Sequence, residues 1–292
     1  MNTFTIKDIE KLSGIKAHTI RIWEQRYQIL SPQRTDTNIR YYSNEDLKTV
    51  LNISLLNKCG YKISRIKKMD TNEIQEKILS LNNVLAQQER IINELIQYMV
   101  DMNVDAFENV LDAQILNTGI SNTIIDIIFP FLDKTGVLWQ TNHINPAQEH
   151  LVTNIIRQKL IIGIENALVP YSLNKTVLIF LPENEHHELG LLFIHYLFKQ
   201  RGFKVLYLGA NIPIRDVANV VSIKQPTLLY CHLTAVSINF NLENYLIKIT
   251  HKIPNIKMVF SGKIVQMYKK SVPANVEFKK TLVDAMAFIE NG

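Results

Sequence analysis

From Lys175 onward the chain alternates short apolar runs with helix-like segments, and this alternation restricts the fold more than any other feature. The strand candidates are TVLIFL, KVLYLG, TLLYCHL, IKMVFSG and a weaker NVEFK. Between and after them lie HELGLLFIHYLFKQRG, PIRDVANVVSI, NFNLENYLIKITHK, KIVQMYKKS and TLVDAMAFIENG. A strand that is apolar along its whole length has no face to show to water, so helices must cover both sides of the sheet. Five such repeats predict an α/β unit built on a doubly wound parallel sheet. Ligands of such sheets sit outside the carboxyl ends of the strands.

The loop after the first of these strands is PENEHHELG, where His186 and His187 lie among Glu183, Glu185 and Glu188, with Gly190 following. A dinucleotide fingerprint needs closely spaced glycines here, and Gly190 stands alone. A zinc site needs three or four ligands, and neither a cysteine nor a third histidine falls at metal spacing. Two adjacent histidines point apart. The only cysteines, Cys59 and Cys231, are far separated, which excludes a disulfide framework and suits a reducing, cytoplasmic setting. The first residues, MNTFTIKDIEKL, lack the apolar core of a signal peptide, and no uninterrupted run of eighteen apolar residues occurs, so no membrane span is expected.

Between about 80 and 170 the pattern is helical. EIQEKILSLNNVLAQQERIINELIQYMVDM reads as one long amphipathic helix, and Val104 to Leu116 as its successor. SNTIIDIIFPFLDKTGVLW predicts a third helix capped by Ser121 and kinked at Pro130, and Pro146 opens a fourth. Four helices suggest a small bundle. Glu149 and His150 fall in the first turn of the fourth helix, where an acid suits the helix dipole, and Trp139 fits a core position.

Charge separates the first quarter of the chain from the rest. Residues 1–70 hold 13 Lys and Arg against 7 Asp and Glu, whereas the remainder holds 19 against 20. A basic head on a neutral body points to a polyanion partner for the head alone. In TIKDIEKLSGI, Thr5 and Asp8 form a capping-box pattern, and Gly14 ends the helix. KAHTIRIWEQRY follows, with Ile20, Trp23 and Tyr27 on one face and His18 and Arg21 on the other. Two short helices around a tight glycine turn predict a helix-turn-helix whose second helix enters the major groove. SPQRTDTNIRYYSNEDL then reads as a β-hairpin wing with Arg34 and Arg40 flanking the turn, followed by a helix capped by Ser43 and Asp46. The side chains of His18, Thr19 and Arg21 are candidates for groove contact, and Arg34, Arg40 and Tyr42 for backbone contact with double-stranded DNA.

The order helix-turn-helix, arginine-bearing wing, RYYSNEDL, helix, GYKISRI resembles the MerR-type winged-helix DNA-binding domain over residues 3–70. IRIWEQRY is similar to the branch whose members carry a cobalamin-binding C-terminal half. Glu185-x-His187-x-x-Gly190 resembles the DxHxxG motif of Rossmann-like cobalamin-binding domains, with Glu for Asp. The register continues: 41 residues separate Gly190 from His232-Leu233-Thr234, and 26 more separate Thr234 from Ser261-Gly262. Trp139, nine residues, then Glu149-His150 matches the motif of the light-sensing CarH and LitR regulators. The resemblance implies that His187 is the lower axial ligand of cobalt and that Glu185 hydrogen-bonds its far ring nitrogen. It implies that Gly190, His232, Thr234, Ser261 and Gly262 line the groove for the nucleotide tail. Trp139, Glu149 and His150 would line the cavity of the upper, adenosyl ligand. Besides Glu185, three positions depart from the family pattern: His232 replaces a Ser, Ser261 replaces a Gly, and Gln140 stands where light-sensing members often carry a His, with His143 nearby.

These features predict three domains: residues 1–72 for DNA binding, 80–170 a helical cap, and 174–292 a cobalamin-binding domain. The resemblance implies a cytoplasmic repressor, not an enzyme, that binds operator DNA as a homo-oligomer, a dimer or tetramer, under the control of adenosylcobalamin and light. Two other readings compete. One is a regulator of the same architecture that has lost cobalamin and answers to a protein partner or another ligand. The other is a corrinoid enzyme, against which the DNA-binding head and the absence of a catalytic barrel count.

Overall fold

The computed structural model describes residues 3–140, 144–169, 171–235 and 240–292, apart from the side chains of Val137, Trp139 and Gln140. His143 lies outside the described residues. The chain divides into two compact units, Met1–Ile155 and Ile156–Gly292.

The first unit opens with helix α1 (Ile6–Ser13), whose capping box is formed as expected: the Thr5 hydroxyl accepts from Asp8 N–H and the Asp8 carboxylate accepts from Thr5 N–H. Gly14 ends it in the left-handed conformation, φ 75°. Helix α2 (Ala17–Ile22) starts where Glu10 Oε2 accepts from Ala17 N–H at 3.1 Å, and it continues into a π-helical turn, Trp23–Tyr27. Strands β1 (Gln33–Arg34) and β2 (Arg40–Tyr41) form the antiparallel wing, with Arg34 opposite Arg40. Helix α3 (Asn44–Lys58) carries the second expected capping box, Ser43 with Asp46, and α4 (Ile63–Ile66) follows the turn at Gly60.

The long helix expected after residue 72 is two helices, α5 (Thr71–Leu79) and α6 (Val84–Val100). Asn83 is the cause: its side-chain oxygen accepts from the N–H groups of Leu85 and Ala86, which starts a new helix where the amphipathic pattern runs on. Helix α7 (Val104–Thr123) leads through a π-helical segment, Ile124–Ile128, into α8 (Phe129–Gln140). Ser121 is not a cap. The non-helical residue is Gly119, at φ 80° and ψ 159°. Nor does Pro130 kink its own position. Because proline brings no N–H to the ladder, the turn before it widens instead, with Phe129 N–H donating to Ile124 O. Helix α9 (Pro146–Glu165) starts as expected at its proline, with Asn145 Oδ1 accepting from Ala147 N–H.

Trp23, Ile53, Leu56, Ile66, Ile78 and Ala86 form one buried cluster drawn from the winged head and from α5 and α6. The stretch Val104–Gly136 is long and apolar enough to cross a membrane by length and composition. It is broken at Gly119, however, and its Phe107, Leu111, Ile124, Ile127, Ile128 and Phe131 are buried in the protein's own core.

The second unit is the predicted sheet. Its elements are β3 (Thr176–Pro182), α10 (Glu188–Gln200), β4 (Lys204–Ile212), α11 (Ile214–Lys224), β5 (Leu228–His232), α12 (Leu242–Lys252), β6 (Lys257–Ser261), α13 (Lys263–Gln266), β7 (Val276–Lys279) and α14 (Leu282–Asn291). All five strands are parallel, in the order β4-β3-β5-β6-β7. Leu178, Phe180, Leu229, Cys231, Met258 and Phe260 pack with residues of α12 in one cluster, and Tyr230 meets Phe198 of α10 edge-on at 5.4 Å. Burial on both faces explains why the strand sequences are continuously apolar. The strand order reverses between β3 and β5, so the crevice for a ligand opens at their carboxyl ends.

Candidate functional site

Two sites emerge, one in each unit. On the head, His18 and Arg21 are exposed and Thr19 is half-buried on α2, while Ile20 and Trp23 turn into the core. Arg34 is exposed on the wing and donates through Nη1 to Asn38 Oδ1 at 2.5 Å. Arg40, directly across the hairpin, is held differently. Its Nε donates to Glu24 Oε2 at 3.1 Å, and the Glu24 side chain is only 8 % exposed. Without that carboxylate two arginines would face each other across the strands, an unfavourable pair. Tyr42 does not meet the expectation of a backbone contact. Its ring is fully buried, it bridges to Phe4, and its hydroxyl donates to Glu24 Oε1, so it braces the wing from inside. Burial, then the Glu24 carboxylate, pushes the Tyr42 phenol up. Glu24 was not singled out from the sequence, although its place one turn beyond Arg21, in a helix followed by an arginine wing, is the available signal.

In the sheet unit, the loop after β3 folds around Glu185. Its side chain is completely buried. Oε1 accepts from His187 N–H at 2.8 Å and lies 2.6 Å from His187 Nδ1. Oε2 accepts from Ala235 N–H at 2.9 Å, in the loop after β5. The Glu185 carbonyl accepts from Asn211 N–H at the end of β4, and Asn211 Oδ1 accepts from Asn184 N–H. One residue thus ties together the ends of three neighbouring strands. Burial opposes ionisation of Glu185, but the hydrogen bonds from His187 and Ala235 outweigh it and hold the carboxyl below its usual range. With an ionised partner at Nδ1, the neutral imidazole carries its proton there and its lone pair on Nε2. The His187 side chain is 60 % exposed at the start of α10. His186 is exposed, and its carbonyl accepts from Glu188 N–H. A metal meeting this loop would therefore be held by Nε2 of His187, a single nitrogen donor.

Across the crevice, Leu233 N–H donates to Ser261 O, and Ile264 N–H donates to Leu233 O. Gly262 has φ 99°, and a Cβ there would lie 2.3 Å from the Leu233 carbonyl oxygen, so only glycine fits. Thr234 is half-buried at the mouth of this loop. His232 Nδ1 lies 2.8 Å from Ser261 Oγ, which also receives the Tyr230 hydroxyl at 2.8 Å. The His232 ring lies against Gly190, leaving no space for a side chain there. Ala235 has no signature in the sequence because it acts through its backbone N–H, and the side chains of Asn211 and Tyr230 reach this site only through the pairing of strands distant in sequence.

In the helical region, Glu149 lies in the first turn of α9 with Oε2 3.2 Å from His150 Nδ1, and the His150 side chain is 70 % exposed. Trp139 belongs to α8; its side chain lies outside the described residues. The neighbouring Gln148 is buried and donates to Val100 O at 2.6 Å, anchoring the start of α9 on the end of α6. No group of three or more metal-binding side chains occurs among the described residues.

Residues 4–73 match the family model for MerR HTH family regulatory proteins, and residues 91–162 match the model for a B12 binding domain. The HTH-type transcriptional repressor CarH of Myxococcus xanthus is 25 % identical over 268 residues, covering 89 % of this chain and 88 % of that protein. The HTH-type transcriptional repressor CarA of the same organism is 29 % identical over 225 residues, covering 72 % and 69 %. Among solved structures, the monomethylamine corrinoid protein of Methanosarcina barkeri superposes with a TM-score of 0.53 at 13 % identity, over 70 % of this chain and 99 % of that one. That likeness speaks to the fold alone.

Proposed function

The chain belongs to the MerR HTH family of regulatory proteins and carries a B12-binding domain, and from that premise we propose that it is a cytoplasmic repressor whose assembly and operator binding are governed by adenosylcobalamin and by light. The observation that carries the reading is the buried Glu185 carboxylate on Nδ1 of His187, which directs the ring's lone pair to Nε2 at the carboxyl end of the sheet. When bound, adenosylcobalamin supplies a light-labile cobalt–carbon bond. The chain's own contributions are separable. Residues 1–72 read DNA through His18, Thr19, Arg21, Arg34 and Arg40. Residues 80–170 cap the upper ligand with Trp139, Glu149 and His150. Residues 174–292 hold the corrinoid through His187, with Gly190, His232, Thr234, Ser261 and Gly262 along the crevice.

Assembly is a physically sufficient switch. One basic head gains limited affinity from a few phosphate contacts, whereas two or four linked heads gain through effective concentration. The ligand must favour the assembled state to act this way. The rival reading, a regulator that has lost cobalamin, draws its support from the His232 ring in the crevice. The test begins with selection of binding sites from a random duplex library, followed by mobility-shift titration of the selected duplex. Titrations are run without ligand, with adenosylcobalamin in the dark, and after green light. The account expects tight, salt-dependent binding only with adenosylcobalamin in the dark. Equal affinity under all three conditions would favour the rival.

A further inference from the structure

The crevice at the point where the strand order reverses is occupied by a side chain of the protein itself. His232 is the last residue of β5, and its ring lies over Gly190 in the first turn of α10. A Cβ on Gly190 would stand 2.4 Å from both Cδ2 and Nε2 of that ring. The ring is anchored. Ser261 pairs with His232 in the β5–β6 register, and its Oγ lies 2.8 Å from His232 Nδ1. The buried Tyr230 hydroxyl donates to the same Ser261 Oγ, so Tyr230, Ser261 and His232 form one connected chain. Burial draws His232 down to about 4, so the imidazole is neutral at physiological pH. His232 and Ser261, two positions that depart from the cobalamin-domain pattern, are therefore partners in one hydrogen-bonded chain, and Gly190 is the floor on which the ring rests.

We infer that His232 is a specificity-determining residue: its ring fills the part of the crevice that a corrinoid's lower nucleotide arm enters, so the chain takes a corrinoid lacking that bulky base in preference to one carrying it. The inference rests on the cobalamin reading above. An aromatic base and the imidazole cannot share the space over Gly190. Admitting the base means giving up the Ser261 hydrogen bond and the packing on α10. The hydrogen bonds between His187 and Glu185 involve neither His232 nor Ser261.

The test uses the full chain and two probes, adenosylcobalamin and adenosylcobinamide, the second lacking the nucleotide arm. Dissociation constants are read from absorption titrations in the dark. The wild type is expected to bind adenosylcobinamide about tenfold more tightly than adenosylcobalamin, and the His232→Ser/Ser261→Gly variant to reverse that order. Wild-type binding of adenosylcobalamin as tightly as adenosylcobinamide, unchanged by the double substitution, would overturn the inference. Retention of neither probe by either protein would overturn the cobalamin reading itself, and the inference with it.

A second measurement needs no ligand. Gly190 lies in a helix and outside the left-handed region, and the atoms nearest to a Cβ there all belong to the His232 ring. Gly190→Ala is expected to lower the melting temperature of the wild type by about 5 °C and to leave that of the His232→Ser protein unchanged or raised. An equal loss in both backgrounds would show that the ring does not occupy the crevice.

Discussion

Two buried carboxylates organise the two halves of this molecule, and they do so in different ways. Glu24, in the head, joins two side chains, the Arg40 guanidinium and the Tyr42 hydroxyl. Glu185, in the sheet unit, joins two backbone N–H groups and an imidazole. The first arrangement positions a long, charged group that is itself 26 % exposed and that retains further N–H donors for phosphate. The second fixes loop backbone and ring tautomer together, leaving little freedom. A polymer read from outside calls for presented charge, whereas a ligand held in a crevice calls for fixed geometry.

The largest expected effect tests the rigid half. Gly262→Ala would set a Cβ against the Leu233 backbone at a φ that side chains rarely adopt. It should destabilise the sheet unit by roughly 4 kcal/mol or more, measured by chemical denaturation. Loss below about 1 kcal/mol would mean that the loop yields. Next, Glu185→Ala removes the acceptor of the Ala235 and His187 N–H groups and should cost about 2–4 kcal/mol. Glu24→Ala should cost about 1–2 kcal/mol, because Arg40 is able to recover water. If the two losses were equal, the contrast between the carboxylates would fail.

A pH series sharpens the same contrast. His195 and His232 are both drawn down by burial to about 4 from an ordinary value of 6.5. Between those values the unfolded chain binds more protons, so stability is present above pH 6.5 and falls as pH drops toward 4. Stability of the sheet unit should therefore fall near pH 5, as followed by hydrogen exchange of β3 and β5. The smallest effect belongs to the exposed charge: Arg34→Ala should weaken DNA binding by less than about tenfold, uniformly across sequences, and reduce the salt slope by about one.

Much of this was legible in the sequence. The five parallel strands, the capping boxes at Thr5 and Ser43 and the wing follow from local pattern, because periodicity and capping act over a few residues. Asn83 interrupted a helix because an amphipathic pattern does not register a cap in its midst. Tyr42 was misassigned for a related reason: flanking arginines mark a surface, but only tertiary packing reveals that the tyrosine between them and Phe4 points inward. Motif spacing identified Glu185 and His187 as neighbours. It was silent on Ala235, which contributes a backbone N–H and so has no signature in residue type, and on Asn211, which tertiary packing alone brings to the loop. His232 and Ser261 looked like two separate departures, and only the β5–β6 register reveals them as one.

The central claim is that Glu185 and His187 present one imidazole nitrogen to a corrinoid metal. Its most direct test is the absorption spectrum of the purified protein after incubation with adenosylcobalamin in the dark and gel filtration, beside His187→Ala. The account predicts a retained corrinoid spectrum that changes under green light, and a spectrum in the variant that is weak or shifted. A folded wild type that emerges colourless, or one whose spectrum is identical in the variant, would contradict it.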